Sequence, residues 1–394
     1  MIMRILSVFT AMLVSAALFV PSVDASATPA SSFTVLDNSD YVEGGVEGAL
    51  YTSFVPNFEC RPYYERDVLP SKAVWQGLVR KYSTRPGPLV LDCEGWFFNG
   101  TDAQANLGRL KTLQAWAREI EPTKIIGWYN LAAHTTPENR RYYHELIAAD
   151  RRTALFPAAY TGSALVDWTP RLKTAWTTAR GISTTLPIYV YLWPQYSKRT
   201  TAGTWLDFLP TTFWEAQLEM ARGMGFDGAV MWGSVTCDTT CRKKAKPVIR
   251  STKAFIDFLQ SNPPRSAALG RPTTASQIHS ANYPAKYATD GDPTTRWVSK
   301  ASDPQWLKID LGSRQKIHSA SLLWGSSAKN YTVQVSDDAT KWTTVYSTST
   351  GNGGVDYLTG LSGTGRYVRV HGTQRASGNG YYTLFDVGIY ATAV

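Results

Sequence analysis

The chain has 394 residues, more than a single hydrophobic core usually supports, so two domains are the starting expectation. A formal net charge of +9 and a sequence pI near 9.2 favour an anionic partner such as an acidic polysaccharide or a charged cell surface. With 43% hydrophobic and 12% aromatic residues the chain is not a disordered one, and without helix-turn-helix spacing, zinc-finger ligands or an RNP-like aromatic strand no nucleic-acid partner is expected.

At the N-terminus, Arg4, the apolar run Ile5 to Val20 and Ala25-Ser-Ala27 follow the charged, apolar, small-residue order of a secretory signal peptide. Residues 1–27 are therefore expected to be cleaved and the protein secreted. The run is shorter than the roughly 20 residues a membrane-spanning helix needs, and no later stretch is apolar enough, so no membrane partner is expected.

From about residue 45 to 260, β-rich apolar runs alternate with helical periods. Strands are expected at Ala49 to Phe54, Leu89 to Glu94, Lys124 to Tyr129, Ala154 to Tyr160, Pro187 to Trp193 and Gly228 to Gly233. Helices are expected at Ala105 to Ile120, Glu138 to Asp150, Pro170 to Arg180, Thr212 to Met224 and Pro247 to Leu259. This order implies a parallel sheet, either doubly wound or closed into a (β/α) TIM-like barrel. No Gly-rich phosphate loop follows the first strand, which favours the barrel, assigned to residues 28–262. Pro263, Pro264 and Gly270 mark residues 263–270 as a linker. Beyond it, residues 271–394 carry short alternating runs such as Trp306 to Gly312, Asn330 to Val335 and Arg366 to Val370, the texture of an all-β sandwich.

The most informative stretch is Leu89-Val-Leu-Asp-Cys-Glu-Gly-Trp96. Side chains two apart on a strand share a face, so Asp92 and Glu94 point the same way, toward the mouth of a barrel. Two adjacent carboxyl groups among aromatics do not both ionise cheaply, and one retains the proton that a departing glycosidic oxygen needs. The plainer alternative is a strand that ends in two solvated or salt-bridged charges. Trp128, Tyr129, Tyr160, Trp193 and Trp232 recur at strand ends, which fits a sugar-lined cleft. Cys60, Cys93, Cys237 and Cys241 are free to form disulfides in an exported chain; they lack zinc-ligand spacing, and no cofactor is expected for catalysis.

These segments resemble the hyaluronidase family of glycoside hydrolases. Val55-Pro-Asn-Phe-Glu-Cys60, Asp92-Cys-Glu94, Gly127-Trp-Tyr129, Ala154-Leu-Phe-Pro-Ala-Ala-Tyr160, Leu186-Pro-Ile-Tyr-Val-Tyr191 and Gly228 to Ser234, with Cys241 after it, match that family's motifs in order and spacing. The resemblance implies a retaining, substrate-assisted hydrolysis of β-linked N-acetylhexosamine. In it Glu94 is the general acid and then base, Asp92 orients the acetamido group, Tyr129 and Tyr160 hydrogen-bond that group, and Trp232 walls the subsite. It also pairs Cys60 with Cys241, leaving Cys93 and Cys237 unassigned. The chain departs from the family at Cys93, at Gly95 and at Trp96-Phe-Phe, so hyaluronan and other amino-sugar polymers both stay open as substrates.

Ala288-Thr-Asp-Gly-Asp-Pro-Thr-Thr-Arg-Trp297, Trp306 to Gly312, Val333 to Asp338 with Trp342, and Arg366 to Val370 resemble the discoidin, or coagulation-factor C-type, domain. That resemblance implies a structural calcium held by Asp290, Asp292, Thr295 and Asp386, oxygen ligands that suit Ca²⁺. A tight acidic turn without an ion is the alternative. Trp297 and Trp306 are expected in the core. Such a module would hold the enzyme, expected to be a monomer, on a polysaccharide substrate that is anionic or built of amino sugars. Two other readings stay open: a secreted carbohydrate-binding protein or adhesin without catalysis, and a hydrolase in which one carboxylate is a covalent nucleophile.

Overall fold

The computed structural model describes residues 33–162, 165–197, 206–233, 237–262, 266–292, 294–376 and 380–394. The expected signal peptide, Ser234, and the linker residues Pro263 and Pro264 lie outside them. Among the described residues no helix is long and apolar enough to cross a membrane.

The N-terminal part alternates strands and helices: β1 (Thr34–Asn38), β2 (Leu50–Tyr51), β3 (Ser53–Val55), α1 (Asn57–Tyr64), α2 (Lys72–Tyr82), β4 (Leu89–Leu91), α3 (Ala103–Ile120), β5 (Ile126–Trp128), α4 (Arg140–Ala149), α5 (Leu165–Ile182), β6 (Tyr189–Leu192), α6 (Thr211–Gly223), β7 (Gly228–Trp232) and α7 (Thr239–Ser261). All its ladders are parallel. One sheet has the order β2-β1-β7-β6 and the other β3-β4-β5. Parallel bridges Tyr129↔Phe156, Leu155↔Ile188 and Ala158↔Tyr191 bring the 154–158 segment, expected as a full strand, between β5 and β6.

The period of two along these strands sorts their side chains into two cores. Leu36, Val90, Phe156, Tyr191 and Val230 meet on one face, joined by the half-buried Phe54, Tyr129, Tyr160 and Trp232. Their neighbours Val35, Leu89, Leu91, Ala229 and Met231 face the other way, onto helix residues such as Trp75, Leu113 and Trp214. Trp128 belongs to this outer core, where its indole N–H donates to Gln114 Oε1 at 2.6 Å. It is therefore a packing residue and not part of a sugar-lined face.

Three elements were not expected. In β1 the polar Asp37 interrupts the apolar run; its carboxylate is buried and accepts from the N–H of Ser39, the Ser39 hydroxyl and the N–H of Val46. Helix α1 contains Pro62 and buries only Cys60, so it lacks an apolar period. Helix α2 starts from an N-cap, Ser71 Oγ accepting from Val74 N–H.

The C-terminal part comprises β8 (Thr273–Ala275), β9 (Trp297–Val298), β10 (Gln305–Trp324), β11 (Ala328–Ser336), β12 (Thr343–Thr348), β13 (Gly354–Arg375) and β14 (Thr383–Ala393). The order is β12-β11-β13-β10-β14-β9, all antiparallel, with β8 paired to β10. Strand β10 changes register against β13 between Asp310 and Gln315, around Gly312, whose φ of 84° favours glycine. Trp297 is buried in the sandwich core as expected, whereas Trp306 is half-buried with Lys308 over its ring. The end of the expected linker is packed: Ala268 is buried in the same core and Ala267 N–H donates to Ile389 O at 2.7 Å.

The two parts meet along α5, α6 and α7. Arg222 reaches both Glu219 and the Tyr390 hydroxyl, Lys173 pairs with Asp292 at 2.7 Å, and Phe258 packs on Tyr357 with ring centroids 4.6 Å apart.

Candidate active site

Strand β4 stops at Leu91, earlier than its sequence suggests, so Asp92 lies just past the strand and Glu94 in the turn beyond it. Asp92 is buried while Glu94 is exposed, so strand alternation does not set their directions. They remain close enough for the charge of Glu94 to act on Asp92. Burial first, and the Glu94 charge second, push the Asp92 carboxyl up to about 8. Partial burial also raises Glu94, and the guanidinium of Arg61 offsets this in part. The pair thus stores one proton near neutral pH, an apparent property of both groups together. Asp92 Oδ1 is buried and has no hydrogen-bond partner among the described residues, an acceptor aimed at no protein donor.

Helix α1 fixes the turn from one face. Positions 57, 60, 61 and 64 are neighbours on a helix. The Asn57 backbone hydrogen-bonds the Asp92 carboxylate, and its side-chain Oδ1 accepts from Glu94 N–H at 2.9 Å. Cys60 is disulfide-bonded to Cys93. Arg61 supplies the charge felt by Glu94. The ring of Tyr64 lies over Gly95 so closely that a Cβ there would come within 2.2 Å of it, which restricts position 95 to glycine. Cys93 and Gly95, the two departures beside the pair, therefore have one cause in α1.

This corrects the implied disulfide. Cys60 is paired with Cys93 and not with Cys241, which is paired with Cys237 across a single turn at the start of α7. The Asp238 side chain caps that helix by accepting from Cys241 N–H at 2.8 Å.

Of the expected aromatic partners, Tyr129 and Tyr160 stack at 6.4 Å and share a hydrogen bond between their hydroxyls. Burial raises both phenols, and the charge of Asp92 adds to it, so they stay protonated donors. Trp232 lies 4.9 Å from Phe54, which in turn lies 6.1 Å from Tyr129. Trp193 meets Tyr160 edge-on at 5.6 Å, its indole N–H held by Gln195 and Tyr41. The structure thus brings Tyr129, Tyr160 and Trp232 to one aromatic face of the parallel strands, with Asp92 and Glu94, beyond the end of β4, close enough for their charges to act on Tyr129. Sequence reasoning missed Asn38, Asn57 and Tyr191. Tyr191 touches Tyr129, Phe54 and Trp232 by its ring, and its hydroxyl accepts from Asn38 Nδ2 at 3.4 Å. Its place in the expected strand, two residues before Trp193, was the available signal.

The expected calcium ligands do not form a ligand set as arranged. Both oxygens of Asp290 accept from Thr295 Oγ1 at 2.9 Å, and Asp292 is taken by Lys173 and by Thr294. Burial, with the charge of Glu219, pushes Asp386 up to about 7. Among the described residues no group of three or more His, Cys, Asp or Glu is placed to hold a metal ion. The Lys173 ammonium lies 2.7 Å from Asp292 Oδ2.

Residues 272–387 match the F5/8 type C domain family, and the C-terminal sandwich is such a domain. The polysaccharide lyase 8 family protein HylA of Enterococcus faecalis is 33% identical over 85 residues, 21% of this chain. The chain spans only 6% of that relative. Among solved structures, chitosan-binding module 1 of a Paenibacillus sp. IK-5 chitosanase/glucanase is 44% identical, with a TM-score of 0.31, covering 32% of this chain and 98% of the module. Module 2 of that enzyme, in complex with chitotriose, is 41% identical at the same coverage and TM-score. The family 32 carbohydrate-binding module of Clostridium perfringens NanJ, in complex with galactose, is 20% identical, covering 31% of this chain and 93% of the module, with a TM-score of 0.28.

Proposed function

We propose that this chain is a secreted glycoside hydrolase that cleaves β-linked N-acetylhexosamine bonds in an amino-sugar polysaccharide, with the C-terminal domain holding it on the polymer. The observation that carries the reading is the carboxyl pair Asp92 and Glu94, sharing a proton beside the hydroxyls of Tyr129 and Tyr160. A (β/α) barrel is the architecture we infer for the N-terminal part. Its support is that β1, β2 with β3, β4, β5, the 154–158 segment, β6 and β7 are each parallel to the next, with β7 pairing back to β1. Two formed disulfides suit the oxidising surroundings of a secreted protein.

The chemistry follows from which group holds the proton. To Glu94, which is exposed, we assign the glycosidic oxygen, and to Asp92, whose buried Oδ1 has no hydrogen-bond partner among the described residues, the acetamido N–H. That donation stabilises the Asp92 carboxylate and leaves the shared proton to Glu94. The acetamido carbonyl oxygen then bonds to the anomeric carbon as the C–O bond breaks, and the Glu94 proton goes to the leaving oxygen. Tyr129 and Tyr160 hydrogen-bond the acetamido group and Trp232 walls the ring. Glu94 next takes a proton from water, which opens the cyclic intermediate and retains the configuration.

The test is reducing-end release from hyaluronan, chondroitin and chitin oligomers by the purified chain and by Glu94→Gln. Saturated products from the wild type, reduced about 10²- to 10⁴-fold in the variant, are expected. Unsaturated products, or equal rates for the two proteins, overturn the mechanism. A polymer that is bound and left uncut favours a carbohydrate-binding protein, the reading suggested by the F5/8 type C domain alone.

A further inference from the structure

Alternation along β10 and β13 divides the sandwich sheet into two faces. Leu307, Ile309, Val368 and Val370 are buried in the sandwich core, which leaves Trp306, Lys308, Tyr367, Arg369 and His371 half-buried on the opposite face. The N-terminal part packs on the other ends of these two long strands, where Leu323 and Val355 join its core.

The register on this face is unusual in its charges. Lys308 is the direct cross-strand partner of Arg369, and Trp306 is the partner of His371. Like charges placed opposite each other on an antiparallel pair repel and weaken the sheet. No acid offsets them: among the described residues neither Lys308 nor Arg369 forms a salt bridge, and Asp310, two residues along from Lys308, is engaged by Arg366 at 2.7 Å. Arg369 instead donates to the neutral Gln334 Oε1 from Nε at 2.8 Å and from Nη2 at 2.6 Å. Burial lowers Arg369, and burial with the charge of Arg369 lowers His371.

Aromatic rings stand among these cations. Lys308 Nζ lies 5.8 Å from the centres of both the Trp306 and the Tyr367 rings, and the Arg369 guanidinium lies 4.2 Å from the centre of the half-buried Trp342. Shielding a ring from water would use one cation and gives no reason to oppose two. Rings and cations that alternate over neighbouring strands of an open sheet suit a single-stranded nucleic acid, whose bases stack on the rings while its phosphates meet the cations. Arg369 and His371, two residues apart, are separated by about 7 Å, and Lys308 lies about 5 Å across the ladder. A phosphate at every nucleotide matches that density of charge better than a polymer with an acid on every second sugar. No sequence motif announces such a partner, because the face joins residues 306–308, 342 and 367–371, which meet only in the fold.

We propose that this face of the F5/8 type C domain binds single-stranded nucleic acid, its bases stacked on Trp306 and Tyr367 and its phosphates paired with Lys308 and Arg369. Stacking and phosphate contacts carry little sequence information, so the site takes strands of varied sequence. The proposal is independent of the hydrolase reading.

The test is fluorescence anisotropy of a labelled oligothymidylate of about 12 nucleotides, titrated with the full chain at several salt concentrations. Binding should weaken with salt, and Lys308→Gln should lower the slope of log affinity against log salt by about 0.7, the share of one phosphate contact on a single strand. Lys308→Arg should retain the slope. Trp306→Ala should weaken binding about 10-fold at every salt concentration and leave the slope unchanged. Lys243→Gln, an exposed lysine of α7 in the N-terminal part, should change nothing. Because it relieves the repulsion with Arg369, Lys308→Gln should also raise the urea midpoint, which separates lost binding from lost folding. The proposal is overturned if the oligonucleotide does not bind, or if it binds equally to a chain carrying both Lys308→Gln and Arg369→Gln. It is overturned as well if duplex DNA binds as tightly as the single strand, or if a uronic acid polymer at equal charge displaces the oligonucleotide, which would make the face a general polyanion surface.

Discussion

The stored proton at Asp92 has a consequence for folding that does not depend on knowing the substrate. In the folded chain burial and the neighbouring Glu94 raise this carboxyl from 3.8 to about 8. A group whose affinity for protons is higher when folded stabilises the fold fully below its unfolded value and loses that contribution as the pH rises through its folded value. At about 1.4 kcal/mol for each tenfold change in proton affinity, the loss between pH 4 and pH 8 is on the order of 5 kcal/mol. Asp92→Asn removes the titration while keeping size and polarity. The variant should therefore gain on the wild type by about 1.4 kcal/mol per pH unit from pH 4 to pH 8, with the gap levelling off above that. Urea denaturation followed by tryptophan fluorescence at each pH measures this. Local relaxation and water entry would lower the plateau without changing its direction. A gap that stays constant from pH 4 to pH 9 would mean that Asp92 titrates normally, and the shared-proton account of the site would fail.

Four further outcomes follow from the structure. Asn57→Ala removes the acceptor for Glu94 N–H, so on any polymer that is cut kcat should fall about 10-fold, as expected for misplaced catalytic geometry, with KM changing less. Replacing Cys60 and Cys93 together by Ser opens a loop with a sequence separation of 33, and should cost about 4 kcal/mol in urea unfolding by chain entropy. The same change at Cys237 and Cys241, four residues apart, should cost about 2 kcal/mol. Arg222→Met leaves the buried Glu219 unpaired between α6 and the sandwich and should destabilise by about 3–5 kcal/mol, with Glu219→Gln in the same chain restoring much of it.

What could be read from the sequence was whatever repeats along it. Helix α3 buries Leu107, Leu110, Leu113 and Ala117, a helical period that is visible in the letters, and the expected helix differs from it by two residues at one end. The sandwich showed itself through alternation in runs such as Trp306 to Gly312, now part of β10. The elements that stayed hidden break these periods for a reason found elsewhere in the fold. Asp37 interrupts β1 because three donors from the following loop converge on it, and that convergence exists only after folding. The 154–158 segment reads as a strand because Ala154, Leu155 and Phe156 are apolar, yet it is tied to its neighbours by single bridges. The carboxyl pair was legible as residues but not as geometry: the strand ends at Leu91, and what holds Glu94 near Asp92 is the turn and not the pleat.

Helix α1 is where that turn gets its shape, and it explains why the residues around the pair differ from those of the hyaluronidase pattern. A cysteine between the two carboxyl groups proposed to be catalytic, followed by a glycine, looks in isolation like a weakened site. Paired with Cys60 and covered by Tyr64, they are instead the two points at which a short helix is fastened to the turn, and Asn57 adds a third through Glu94 N–H. Fastening by a covalent bond, a ring packed on backbone and a hydrogen bond leaves the turn little freedom, which is what general acid catalysis requires of the group that must meet one oxygen. The same helix carries Arg61, whose charge moderates Glu94. A change in α1 therefore acts on the proton and on its position at once, so variants of this helix should lose activity well before they lose the fold.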